Sequence, residues 1–163
     1  MKGRGGSGVS TLTMGTIGST KEIAIMTVKQ GMSVEQTREV IKRYADAEHG
    51  DVSMMAPDVV FRIMATGQEH RTPEGVVGML DYFYHVAFDA TAETKNMIVG
   101  EGIAALEADF VGRHIGEFAG VPPTGKEVRI PFAVVYDVRD GQIVEGRVYF
   151  EIPVFLAQVG ATG

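Results

Sequence analysis

An α+β domain is what this sequence predicts, with helical segments first and a long antiparallel sheet after them. Two strand-like runs, Glu127–Val138 and Gln142–Phe155, flank the turn Arg139-Asp140-Gly141. Asp-Gly between β-rich runs signals a hairpin, because glycine tolerates the positive φ that a tight turn demands. A third run, Gly102–Phe118, feeds in through Val121-Pro122-Pro123-Thr124-Gly125, a loop that cannot continue a ladder. Upstream, apolar residues recur at helical rather than alternating spacing. Helices gathered before strands belong to the α+β class.

Taken in order, Met1 to Thr20 reads as a glycine-rich tail able to bury little, with Gly3, Gly5, Gly6, Gly8, Gly15 and Gly18 among Ser and Thr. Residues 21–163 read as one domain. Glu22–Val28 is locally β-like and suits a packing arm. Ser33 opens the first helix: Ser33 with Gln36 forms a capping-box pattern, and Val40, Ile41, Tyr44 and Ala45 share one face. Gly50 is placed to close it. Pro57-Asp58 precedes a short strand, Val59–Met64. Thr72-Pro73 reads as the N-cap and first residue of a second helix. Its apolar positions are Val76, Val77, Leu80, Phe83, Tyr84, Ala87 and Phe88. Strands resume near Asn96–Val99.

Composition narrows the function classes. The chain has 163 residues, 45% of them hydrophobic, enough for one well-formed core. Its formal net charge of −6 argues against nucleic acid, which demands concentrated Lys and Arg. There is no cysteine, hence no thiol nucleophile and no disulfide framework. No apolar run approaches the roughly 20 residues that span a bilayer. A soluble protein of the cytoplasm is expected. His49, His70, His85 and His114 lack zinc-ligand spacing, so no metal is expected. Gly3-Arg4-Gly5-Gly6-Ser7-Gly8 satisfies a dinucleotide fingerprint only literally, because no strand precedes it.

Several motifs carry a family resemblance. They are His114-Ile115-Gly116-Glu117-Phe118-Ala119-Gly120, Pro123-Thr124-Gly125-Lys126, Tyr136-Asp137, Asp140-Gly141-Gln142-Ile143-Val144-Glu145 and Tyr149-Phe150-Glu151. Together they resemble the SnoaL-like polyketide or ester cyclases of the nuclear-transport-factor-2-like superfamily, over roughly Ser33 to Gly160. The resemblance implies a cone: a strongly curved antiparallel sheet wrapped around the N-terminal helices, with a pocket between. It implies a small apolar organic ligand or substrate, cofactor-independent acid–base chemistry, and a homodimer paired through the outer face of the sheet. By the same resemblance, Val148 falls where the cyclases and limonene-epoxide hydrolases carry an essential aspartate. Glu107 falls where the hydrolases carry arginine, and Asp109 where they carry aspartate. Epoxide hydrolysis by that mechanism is therefore not expected.

Four residues stand out as candidates for catalysis. Glu107 and Asp109 lie two apart on a predicted strand, so both leave the same face. Facing a pocket, desolvation and mutual repulsion would raise one pKa and make an acid or base. Facing solvent, they would leave Leu106, Ala108 and Phe110 to point inward. His114 shares parity with that apolar set and reads either as a proton shuttle at a pocket mouth or as a core histidine. Tyr44, on the apolar stripe of the first helix, reads as an oxygen ligand or as core; Tyr82 and Tyr84 are further phenols over the pocket. Glu145, Arg147, Tyr149 and Glu151 alternate with apolar residues, which suits an ion-pair ladder on the outer face or a dimer contact. Two functions follow: cyclisation, isomerisation or dehydration of an apolar carbonyl compound, or a non-catalytic module that binds a hydrophobic ligand or dimerises.

Overall fold

The structure, a computed structural model, describes residues 31–47 and 51–161. The tail, the Glu22–Val28 arm and the stop at Gly50 lie outside the described residues. Helix α1 (Val34–Asp46) begins at the expected capping box. Ser33 Oγ accepts the Gln36 N–H at 3.1 Å, and Gln36 Oε1 accepts the Ser33 N–H at 2.9 Å. Its buried stripe is Thr37, Val40, Ile41 and Tyr44. Thr37 belongs there because its hydroxyl donates to Ser33 O and accepts the Gly102 N–H at 2.9 Å, tying the helix to the sheet.

Strand β1 (Met55–Ile63) starts earlier than the expected Val59, and a short edge strand, β2 (Gln68–Arg71), returns beside it. Nothing in the polar run Gln68-Glu69-His70-Arg71 alternates, which is why periodicity passes over it. Helix α2 (Thr72–Asp81) carries Pro73 in its first turn, and Thr72 Oγ1 accepts the Gly75 N–H at 3.3 Å. A widened π turn, Tyr82–Val86, continues it, marked by the Ala87 N–H donating five residues back to Tyr82 O at 2.7 Å.

Four long strands follow: β3 (Phe88–Val99), β4 (Ile103–His114), β5 (Glu127–Arg139) and β6 (Gln142–Phe150). β3 begins well before Asn96. Its inward residues Ala90, Ala92 and Thr94 are small, so the hydrophobic alternation is faint there. The run expected to reach Phe155 as strand instead turns into helix α3 (Ile152–Gln158). Pro153 lacks the N–H a ladder needs and suits a helical first turn. The fully buried Phe155 anchors that helix on the core.

The six strands run in the order β2-β1-β6-β5-β4-β3. All neighbours are antiparallel except β1 with β6, which are parallel. The sheet is thus mixed rather than wholly antiparallel, curved and unclosed. Register shifts between Thr94 and Asn96 and between Asp137 and Val138 mark bulges that help it bend. Helices lie against the concave side, where Ile41, Phe61, Phe88, Phe110 and Ile130 form a sealed core.

Candidate active site

Between the helices and the concave face lies a cavity of about 500 Å³. Strand parity decides its wall. On β4, Leu106 and Phe110 face it; on β5, Phe132, Val134 and Tyr136 do; on β6, Val148 and Phe150 do. From the helical side come Tyr44 of α1, Met79 and Leu80 of α2, and Phe83, Tyr84 and His85 of the π turn. β1 adds Phe61. Its ring fits because Gly146, its partner in the parallel ladder, has no side chain: a Cβ there would lie 2.8 Å from the Phe61 ring.

Three phenols converge in this apolar space. The Tyr44 and Tyr136 ring centroids are 5.8 Å apart in an edge-on arrangement. Tyr84 packs against Phe110 with centroids 5.0 Å apart. Burial raises all three pKa values, Tyr84 to about 12, and the phenols reinforce one another. Tyr44 feels the Tyr84 charge, and Tyr136 feels those of Tyr44 and Tyr84. Each therefore stays protonated at neutral pH and offers an O–H donor. Tyr82 is different: its hydroxyl leaves the cavity and donates to Glu117 O at 2.6 Å.

Of the residues singled out from the sequence, Tyr44 lines the cavity and three do not. Glu107 and Asp109 leave β4 on the opposite face from Leu106 and Phe110, as simple alternation requires. Glu107 is exposed and accepts a hydrogen bond from Asn96 Nδ2 at 2.6 Å. Asp109 is covered by Arg129 at 2.9 Å and Lys95 at 3.2 Å. The Arg129 hydrogen bond holds its carboxyl below the usual range, burial opposes that, and Lys95 adds to it. His114 faces inward but is sealed beside Phe88 and Phe155, away from the cavity. Its Nδ1 lies 3.0 Å from Thr124 Oγ1 and accepts the Thr124 N–H at 3.3 Å. Burial lowers its pKa, with the Gly116 backbone and Glu117 opposing part of the shift. The geometry gives His114 the form of a core clasp for the loop that follows β4.

Tyr136 and His85 were not among the four candidates. Tyr136 shares parity with Phe132 and Val134, a usable signal. His85 left none, because regular helical spacing from Thr72 aims it away from the apolar stripe; the π turn changes that. On the outer face two of the four residues expected in a ladder, Glu145 and Arg147, form ion pairs: Arg147 pairs with Asp137 at 2.9 Å and Glu145 at 3.2 Å, and Arg62 joins Glu145 to Glu69. Among the described residues no group of acidic and histidine side chains could hold a metal ion, and no helix is long and apolar enough to cross a membrane.

A curved sheet covered by helices, with an apolar, phenol-lined cavity between them, is the nuclear-transport-factor-2-like cone fold. Residues 38–159 match the SnoaL-like polyketide cyclase family, and the chain belongs to it. Solved structures agree. A proposed SnoaL-like polyketide cyclase from Jannaschia sp. CCS1 superimposes with a TM-score of 0.67 at 21% identity, covering 79% of this chain and 94% of that one. IdmH, a proposed polyketide cyclase from Streptomyces antibioticus, gives 0.64 at 29% identity, covering 77% and 99%. A protein of ketosteroid isomerase-like fold from Catenulispora acidiphila, solved with trimethylamine, gives 0.61 at 19% identity, covering 77% and 95%. No curated protein matches the chain.

Proposed function

We propose that this protein is a cofactor-independent acid–base enzyme acting on a neutral, largely apolar carbonyl compound by cyclisation, isomerisation or dehydration. The observation that carries this reading is the convergence of Tyr44, Tyr84 and Tyr136 in one apolar cavity. Protonated phenols in a poorly solvated space donate to an oxygen on which negative charge develops, and a low dielectric makes each donor worth more than in water. The wall is mostly apolar, and Asp89 is the one acid among its described lining residues. In the ladder Asp89 stands opposite Arg113. A neutral ligand suits such a wall.

Asp109, Glu107 and His114 have no part in this proposal, since none of them lines the cavity. A homodimer does. The outer face presents Ala105 opposite Val135 and, two residues along, Ala133 opposite Tyr149, with the Arg147 and Arg62 ion pairs on the same sheet. The cytoplasm is the proposed compartment.

The test is equilibrium binding of 2-naphthol, followed by its fluorescence, and then turnover on a panel of β-ketoesters and enones. Binding that weakens at least tenfold in the Tyr44→Phe/Tyr136→Phe double variant, with turnover of at least one panel compound, is expected. Binding without any turnover would reduce the protein to a ligand-binding module. No binding at all would remove the site.

A further inference from the structure

We infer that His114 is an acid-sensitive latch: neutral, it holds the loop after β4 closed behind the cavity, and protonated, it releases that loop and with it the ligand. The latch stands on its own geometry, and only its consequence for a ligand rests on the reading proposed above.

The latch turns on which ring nitrogen carries a proton. His114 is fully buried, and its Nδ1 accepts the Thr124 N–H at 3.3 Å while lying 3.0 Å from Thr124 Oγ1. A nitrogen that accepts a backbone N–H holds no proton of its own, so the ring is neutral with its proton on Nε2. Charging the ring sets a second N–H at Nδ1, facing the one on Thr124. It keeps Thr124 Oγ1 as an acceptor only if the Thr124 N–H swings away. Phe88 and Phe155 flank the ring, with centroids 5.3 and 4.9 Å distant, and a positive charge between them is poorly solvated. Protonation therefore undoes the Thr124 bond and draws the ring toward water.

That bond closes a loop with a direct hold on the cavity. The His114 N–H donates to Lys126 O at 2.9 Å and the Gly125 N–H to His114 O at 2.8 Å, so both ends of the loop meet at this residue. Between them, the Ile115 and Gly116 N–H groups both donate to Ala87 O at 2.9 Å, and Glu117 O accepts the Tyr82 hydroxyl. Phe118 is the wedge. It is 7% exposed and meets Phe83 and Phe150 edge-on, with centroids 5.5 and 5.8 Å away, and both of those rings line the cavity. Withdrawing Phe118 removes the backing from two wall residues.

The elements packed around the ring carry few charges. The loop has Glu117 and Lys126, β4 and β5 have the Arg113–Glu127 pair, β3 has Asp89 beside Phe88, and the π turn has Tyr82 and His85; α3 has none. Burial lowers the His114 pKa, and the Gly116 backbone and Glu117 oppose only part of that. A native pKa below the unfolded one leaves the latch closed above the ordinary histidine range and weakens it as pH falls through that range toward the native value.

The test follows ring, loop and ligand separately in the whole protein. Nitrogen-15 NMR of wild type should show a bare Nδ1 on His114 at about pH 8, and its protonation on acidification should coincide with loss of exchange protection at the Ile115 and Gly116 amides. Affinity for 2-naphthol should fall about tenfold between about pH 8 and about pH 5. In His114→Asn, Oδ1 takes the place of Nδ1 as acceptor and does not titrate, so affinity should change less than about twofold over that range. A ring that gains its proton while both amides stay protected would overturn the inference without any variant. So would wild-type affinity that stays flat with pH, or an acid loss in His114→Asn as large as in wild type. A wild type that binds no 2-naphthol at any pH strikes the cavity reading instead, and the ring and amide signals still decide the latch.

Discussion

Asp109 gathers Arg129 and Lys95 on the outer face of the sheet, so its titration reports on those cations rather than on a ligand. Its native pKa lies below its unfolded value, so the stabilisation is present above the ordinary carboxylate range and is lost as pH falls through the native value. Asp109→Asn should therefore be less stable than wild type at neutral pH, and the gap should close in urea melts run at progressively lower pH. The same variant should keep full turnover on any substrate the panel identifies. Tyr44→Phe makes the opposite split: stability within about 1 kcal/mol of wild type, and turnover down tenfold to a hundredfold through loss of an oxygen donor. Val148 lines the cavity and is 8% exposed. Val148→Asp places a carboxyl there with a pKa raised by burial, a penalty of about 3 kcal/mol at neutral pH for roughly two pKa units. That penalty should vanish below the ordinary carboxylate range, where the group is neutral folded or unfolded; denaturant midpoints at two pH values measure it.

At the scale of elements, what could be read from the sequence was whatever local chemistry enforces. The Ser33–Gln36 capping box, Pro73 in its helix's first turn and the Asp140-Gly141 hairpin each rest on a few neighbouring residues, and each is in place. β2 escaped because four polar residues carry no period, and α3 because its apolar run reads as strand until Pro153 is weighed. The catalytic candidates divided for a related reason. Parity along β4 ties Glu107 and Asp109 to one face, but which face is concave is settled by the helices above, not by the strand. The π turn lay furthest from reach, since one extra residue in a helical turn has no compositional mark. Gly146 illustrates a packing constraint invisible locally. Gly146→Ala should cost about 1–3 kcal/mol by forcing the Phe61 ring into the cavity, and should weaken 2-naphthol binding in parallel; thermal melts and fluorescence titration check both.

For the whole molecule, the outer sheet face predicts association. Tyr149 is 43% exposed amid Ala133 and Val135, and sedimentation at micromolar concentration should give a dimer that Tyr149→Glu dissociates. Persistence of the dimer in that variant would move the contact elsewhere. The parallel pairing of β1 with β6 has a further meaning in time. Strands β3 to β6 join neighbours through successive hairpins, so they can assemble as each pair becomes available. β1 must wait for the last strand of all: Arg62 reaches Glu145 across 83 positions of chain. Contacts that distant carry the largest loop-closure entropy and form late. Phe61, Tyr44 and the roof of the cavity arrive with them. On a ribosome α1 and β1, made before the meander, are the parts that dock last, so the cavity closes only at the end of folding.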